Sequence, residues 1–265
     1  MNNKGERIQL MERLSHRSPI EVHGLIKRYG GTTALRGLSF EVREGEIYGL
    51  LGPNGAGKTT TLKILVGLLI PQGGRAYIMG HDVVRERVDA LRYVGYIPEN
   101  PVLFRNLTVR EFLEMIGTLR GIGKEELSES IDRYLQIFDI VDKEDEPASS
   151  LSRGMIQKVL ASAAFLVRPK VLIMDEPMAG MDPESQHAFK GEVRRMAREG
   201  VAVLLSSHLL DMVERFCTKV GIISRGKLVA EGSIDELKRM SGEDRTLEGV
   251  FLKLVGEGGQ GSGVS

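Results

Sequence analysis

The chain has 265 residues, with 36 Lys plus Arg balanced by 36 Asp plus Glu, and one cysteine, Cys217. Zero net charge argues against a broad basic surface for nucleic acid or acidic lipid, and a lone cysteine excludes an internal disulfide and fits a reducing cytosol. No apolar run reaches the ~18 residues of a membrane span, and the N-terminal "MNNKGERIQLMERLSHRSP" interleaves charges, without the apolar stretch of a secretory signal.

Residues 1–18 therefore read as an extension, 19–256 as one folded domain, and the Gly/Ser-rich residues 257–265 as a flexible tail. From Ile20 to Glu46 the pattern predicts short strands: "IEVHGLIKRYG", a glycine-containing turn, then "GLSFEV". "EIYGLLG" is a compact apolar strand entering a glycine-rich loop, and "KTTTLKILVGLLI" follows as a helix expected to run to Pro71. Strand signals recur at "GRAYIMG" and "LRYVGYI". Three apolar residues, Val102, Leu103 and Phe104, then lie together in a loop, where an apolar cluster needs a partner or must fold back on the protein. Thr108 and Glu111 have capping-box spacing at the head of "VREFLEMIGTLRG". A further helix, from about Glu125 to Asp139, puts Leu127, Ile131, Tyr134, Leu135 and Phe138 on one side.

"LSRGMIQKV" begins at Leu151. Ser152 suits an N-cap ahead of a helical stripe that includes Met155, Val159 and Ala163. This can be an ordinary amphipathic helix on a core, or a helix N-terminus serving as an anion site. "KVLIMDEP" and "VAVLLSS" are continuous apolar strands with a helix between them, capped by Asp182 and Pro183 and ended by Gly200, the pattern of a parallel sheet covered on both faces. The fold expected is α/β: a core with a mainly parallel sheet, an antiparallel β lobe and a helical insert near 100–165.

"GPNGAGKTT" has the spacing G-x-x-x-x-G-K-[ST] between a strand and a helix. In such a loop the backbone N–H groups of Gly52, Pro53, Asn54, Gly55, Ala56 and Gly57 (the proline excepted) curl around phosphate oxygens. Lys58 reaches the β- and γ-phosphates, Thr59 faces Mg²⁺, and Thr60 completes the motif. Spacing alone can arise by chance, but the flanking strand and helix make a nucleoside triphosphate the expected ligand and the α/β core that of a P-loop NTPase. At the tip of a buried strand, Asp175 is placed to hold Mg²⁺ and Glu176 to polarise an attacking water. A "DEP" by itself is commonly a polar strand end; behind a P-loop the functional reading prevails. His208 follows another buried strand, where it is either structural or in reach of the γ-phosphate.

With these motifs in this order, the chain resembles the ATP-binding subunits of ABC transporters over nearly all of 20–256. The resemblance implies that Tyr29 stacks on adenine, that Glu99 stands at the usual glutamine near the metal, that "AGMD" at 179–182 is the D-loop, and that His208 is the switch histidine. Leu151–Met155 stands for L-S-G-G-Q, departing from it at Arg153 and Met155. The resemblance further implies that two such subunits pack head to tail, so that Ser152 and Gly154 hold the ATP of the partner subunit. The form "LS-x-G-M-x-Q", Glu99 and the ending "TLEGVFLKLVG" point to the type-2 export class, with a separate membrane permease. This predicts an ATPase at the cytoplasmic face of the membrane, using ATP and Mg²⁺, with a homodimeric arrangement and no nucleic-acid partner. The segment with Leu103 and Phe104 would receive the permease, and Asp at either position is expected to leave the fold intact. A non-transport ABC ATPase or an ATP-gated scaffold with little turnover are the alternatives.

Overall fold

Apolar strands separated by helices build two sheets. In the computed structural model the described residues are 18–100, 103–104, 106–240 and 246–256. Residues 1–17 of the expected extension, the tail at 257–265, and Val102 lie outside them. In chain order, β1 (Ile20–Tyr29), β2 (Thr32–Val42), β3 (Ile47–Leu51), α1 (Lys58–Leu65), β4 (Gly73–Ile78), β5 (His81–Asp82), α2 (Arg87–Leu91) and β6 (Val94–Ile97) precede α3 (Val109–Leu119), α4 (Lys124–Ile137) and α5 (Arg153–Leu166). Then come β7 (Val171–Asp175), α6 (Pro183–Arg198), β8 (Ala202–Ser207), α7 (Leu210–Phe216), β9 (Lys219–Ser224), β10 (Lys227–Ser233), α8 (Ile234–Met240) and α9 (Leu247–Gly256).

The larger sheet has the order β10-β9-β3-β8-β7-β6, parallel except for the edge strand β10. Its central strands β3, β7 and β8 are fully buried, and alternate residues enter different cores. Ile47, Leu51, Leu172, Met174, Val203 and Leu205 pack with α3–α6. Tyr48, Leu50, Ile173, Leu204 and Ile223 face α1 and the antiparallel sheet β2-β1-β4-β5. A strand with apolar neighbours on both faces has no polar side to show water, so it reads as a continuous run. The architecture is α/β with an antiparallel β lobe, and parallel pairing brings the carboxyl ends of β3, β7 and β8 to one edge. There Leu51 pairs with Ser207, and Asp175 with Ser206.

The first helix differs from expectation. It stops at Leu65, although apolar residues continue to Ile70, because Gly67 takes φ of 67°. Its N–H donates to Ile64 O at 2.9 Å and that of Leu68 to Lys63 O at 2.8 Å, the paired bonds of a Schellman ending that favours glycine. Likewise β2 begins ten residues before Val42, longer than "GLSFEV" indicated, and α2 was not expected.

The helices α3, α4 and α5 pack on one another, and the ring centroid of Phe165 in α5 lies 5.9 Å from Tyr134, 6.1 Å from Phe138 and, across to α6, 5.5 Å from Phe189. Arg120, at the end of α3, fastens this unit to the sheet by donating to the carbonyls of Leu91 (2.9 Å), Arg92 (3.2 Å) and Val94 (2.6 Å). The Thr108 cap forms as expected: Glu111 N–H donates to Thr108 Oγ1 and Thr108 N–H to the Glu111 carboxylate. Leu103 corrects an expectation. At 8 % exposure it belongs to the core on which α3 packs, while Phe104 beside it is 63 % exposed. An aspartate at Leu103 would therefore be buried. Among the described residues no helix is long and apolar enough to cross a membrane.

Candidate nucleotide site

The loop 52–57 leaves β3 at the carboxyl edge of the parallel sheet and turns into α1, where orphan N–H groups and the helix dipole favour an anion. Gly57, at φ of 113°, closes the turn directly before Lys58. Lys58 Nζ donates to Gly52 O at 2.6 Å and Pro53 O at 3.2 Å, bracing the loop from within. Burial draws the Lys58 ammonium below its usual range, while Glu176, Asp175 and Glu99 pull the other way.

A cavity of about 530 Å³ opens over this loop. It is lined by Tyr29, Ala34, Asn54, Gly55, Gly57, Lys58, Thr59, Thr60, Glu99, Asp175, Glu176 and His208. Residues from six separated stretches of chain thus converge on one space. Gly52, Pro53 and Ala56 form the loop's backbone without lining the cavity; Ala56 is buried, and its carbonyl accepts from Gly226 N–H at 2.9 Å.

Sequence reasoning missed the two serines that end β8. Asp175 is 2 % exposed, and the Ser206 hydroxyl donates to its Oδ1. Ser207 Oγ donates to Glu176 Oε2 at 3.1 Å. The other carboxylate oxygen of Glu176 accepts from His208 N–H at 2.9 Å and lies 2.6 Å from His208 Nδ1. For an ionised carboxylate the ring donates from Nδ1, which leaves Nε2 free for another partner. Glu176 itself sits at φ of 46°, a left-handed conformation costly for a residue with a side chain. Its anchors over-determine that geometry and hold a carboxylate at the cavity wall. "LLSSH" carried the available signal: two hydroxyls at the end of an otherwise apolar strand.

Ser152 and Gly154 are not brought to this cavity. Ser152 caps α5, its hydroxyl accepting from Met155 N–H at 3.3 Å, and is exposed. Arg153 instead lines a second hollow, of about 400 Å³, with Met178, Ala179 and Lys190. Glu99, Glu176 and His208 border both spaces. The first can take a triphosphate chain, with one buried cation for its oxygens and carboxylates at the far wall.

Residues 35–179 match the family model described as ABC transporter. This chain belongs to that family. It is 36% identical over 238 residues to the daunorubicin resistance ATP-binding protein DrrA3 of Streptomyces coeruleorubidus, covering 90% of this chain and 75% of that one. It is 34% identical over 240 residues to the ABC transporter ATP-binding protein YbhF of Escherichia coli (strain K12), covering 89% of this chain but spanning only 41% of YbhF. A solved ATP-binding subunit of an ABC transporter superposes with a TM-score of 0.85 at 33% identity, covering 89% of this chain and 99% of that chain. A nucleotide-free ATP-binding cassette superposes with a TM-score of 0.72 at 25% identity, covering 88% and 98%. The cassette is an ATP-binding domain, and ABC domains of this kind are ATPases.

Proposed function

We propose that this chain is the ATPase subunit of an exporter, working at the cytoplasmic face of a membrane through a permease on a separate chain. The carrying observation is the cavity that gathers Tyr29, the loop before Lys58, Asp175, Glu176 and His208. DrrA3 and the Nod factor export ATP-binding protein I of Ralstonia nicotianae, 36% identical over 218 residues, carry export or resistance in their names, which favours the export class here.

In this reading Tyr29 stacks on adenine, the N–H groups of the loop and Lys58 hold the triphosphate, and Glu176 orients the water that attacks the γ-phosphorus. His208 keeps Glu176 aligned and offers its second nitrogen to the γ-phosphate. The hydroxyl of Thr59 and the carboxylate of Asp175, with Glu99 beside them, are hard oxygen donors suited to Mg²⁺. Among the described residues no group of three or more His, Cys, Asp or Glu forms a self-sufficient metal cage, and Mg²⁺ is typically held by one or two carboxylates plus substrate phosphates. Bound there, Mg²⁺ would neutralise charge on the β- and γ-oxygens. Two copies packed head to tail would bring Ser152 and Gly154 of one to the triphosphate at Lys58 of the other; their distance from their own cavity supports that assignment.

Glu176→Gln tests the hydrolytic role. A positioned general base is worth roughly 100- to 10,000-fold, so steady-state turnover should fall at least about 100-fold while a fluorescent ATP analogue still binds. Wild-type turnover no faster than the variant's would favour an ATP-gated scaffold.

A further inference from the structure

The loop 176–182 joins β7 to α6 and carries Glu176 at its first position. It is folded as two turns, with Ala179 N–H donating to Glu176 O and Met181 N–H to Met178 O, both at 3.2 Å. One end is fixed by Ser207 and His208 through the Glu176 carboxylate. The other end is Asp182, whose carboxylate accepts from Ser185 N–H at 2.8 Å and Ser185 Oγ at 2.7 Å. Lys158, five residues into α5, completes that end: its Nζ lies 3.0 Å from Asp182 Oδ2 and its side chain is 11 % exposed.

A second contact joins the same two elements. A Cβ added to Gly154 would stand 2.2 Å from Gly180 O, so α5 rests its first turn directly on the loop's backbone. Residues four apart on a helix share a face. Gly154 and Lys158 are such a pair, and they meet Gly180 and Asp182 in matching order. The backbone N–H of Ser185, then its hydroxyl and Lys158, hold the Asp182 carboxyl well below the usual range, so its charge persists across working pH. A half-exposed ion pair adds little to folding. Its consequence is positional, because the loop it fixes ends on a strained carboxylate.

We propose that Lys158 is a positioning residue for Glu176, acting through Asp182 and the loop 176–182; the inference rests on the reading of Glu176 as the residue that orients water. Movement of α5 is thereby carried to the carboxylate of the same chain. Asp182→Ser separates the ion pair from the cap, since serine can still accept from the α6 N-terminus.

The full chain is compared as wild type, Lys158→Met, Lys158→Arg, Asp182→Ser and the Lys158→Met/Asp182→Ser pair. Three readouts are taken: kcat and KM for Mg-ATP, hydrogen exchange of the peptide spanning 176–182, and thermal midpoint. Lys158→Met should lower kcat about fivefold, the upper end of what such a pair is worth, with KM unchanged and exchange faster in that peptide. Lys158→Arg should restore both. In the Asp182→Ser background, Lys158→Met should add nothing, because its route to Glu176 is already cut. Losses that multiply in the double variant would overturn the proposal, as would a lowered midpoint with kcat and exchange at wild-type values. Exchange needs no turnover, so failure of the Glu176 assignment, seen as activity retained in Glu176→Gln, stays distinct from failure of the Lys158 link.

Discussion

Leu103 and Phe104 are neighbours in sequence with opposite surroundings, and only coordinates separate them. Both are apolar in a loop that follows Glu99, but Leu103 fills the core beneath α3 while Phe104 stands in solvent. An aspartate at Leu103 would put a carboxylate among apolar side chains, at a cost of about 3 kcal/mol or more. Leu103→Asp should therefore lower the urea midpoint sharply. Phe104→Asp should stay within about 0.5 kcal/mol of wild type, as surface changes usually do, yet abolish co-purification with the membrane subunit. A Phe104 variant that co-purifies at wild-type yield would place the docking surface elsewhere. The serines of β8 teach the same lesson. The hydroxyls in "LLSSH" mark a polar strand end, but not that Ser207 anchors Glu176, 31 positions away; the register of two parallel strands brings them together.

Local chemistry was most legible where a cap or a turn decides the outcome within a few residues. Thr108 with Glu111, Ser152 ahead of α5, and Asp182 with Pro183 all begin helices where their side chains predict. At the end of α1 the apolar run to Ile70 favours a longer helix, and Gly67, whose positive φ closes the helix, overrides it. The Thr108 box starts α3, which supports both Leu103 and the Arg120 link to β6, so its strength matters beyond one turn. Thr108→Ala should cost about 1 kcal/mol, lowering the urea midpoint with the slope unchanged. An unaltered midpoint would mean that tertiary packing, rather than the cap, sets the start of α3.

Over the whole molecule, the continuous apolar strands identified a two-faced parallel sheet, because burial on both sides removes the polar alternation of a half-exposed strand. The P-loop, Asp175 and Glu176 were legible for the same reason that they converge: strand ends in such a sheet share one edge. The relation of α5 to the loop 176–182 was not legible, since it depends on how the helical unit sits against the core. The separation of Ser152 and Gly154 from the Lys58 cavity gives the central claim, a composite site completed by a second copy. Light scattering coupled to size-exclusion chromatography of Glu176→Gln with Mg-ATP tests this most directly. The account predicts a monomer without nucleotide and a dimer with ATP, lost again when Ser152→Ala is combined with it; a species that binds ATP yet stays monomeric at every protein concentration would contradict it.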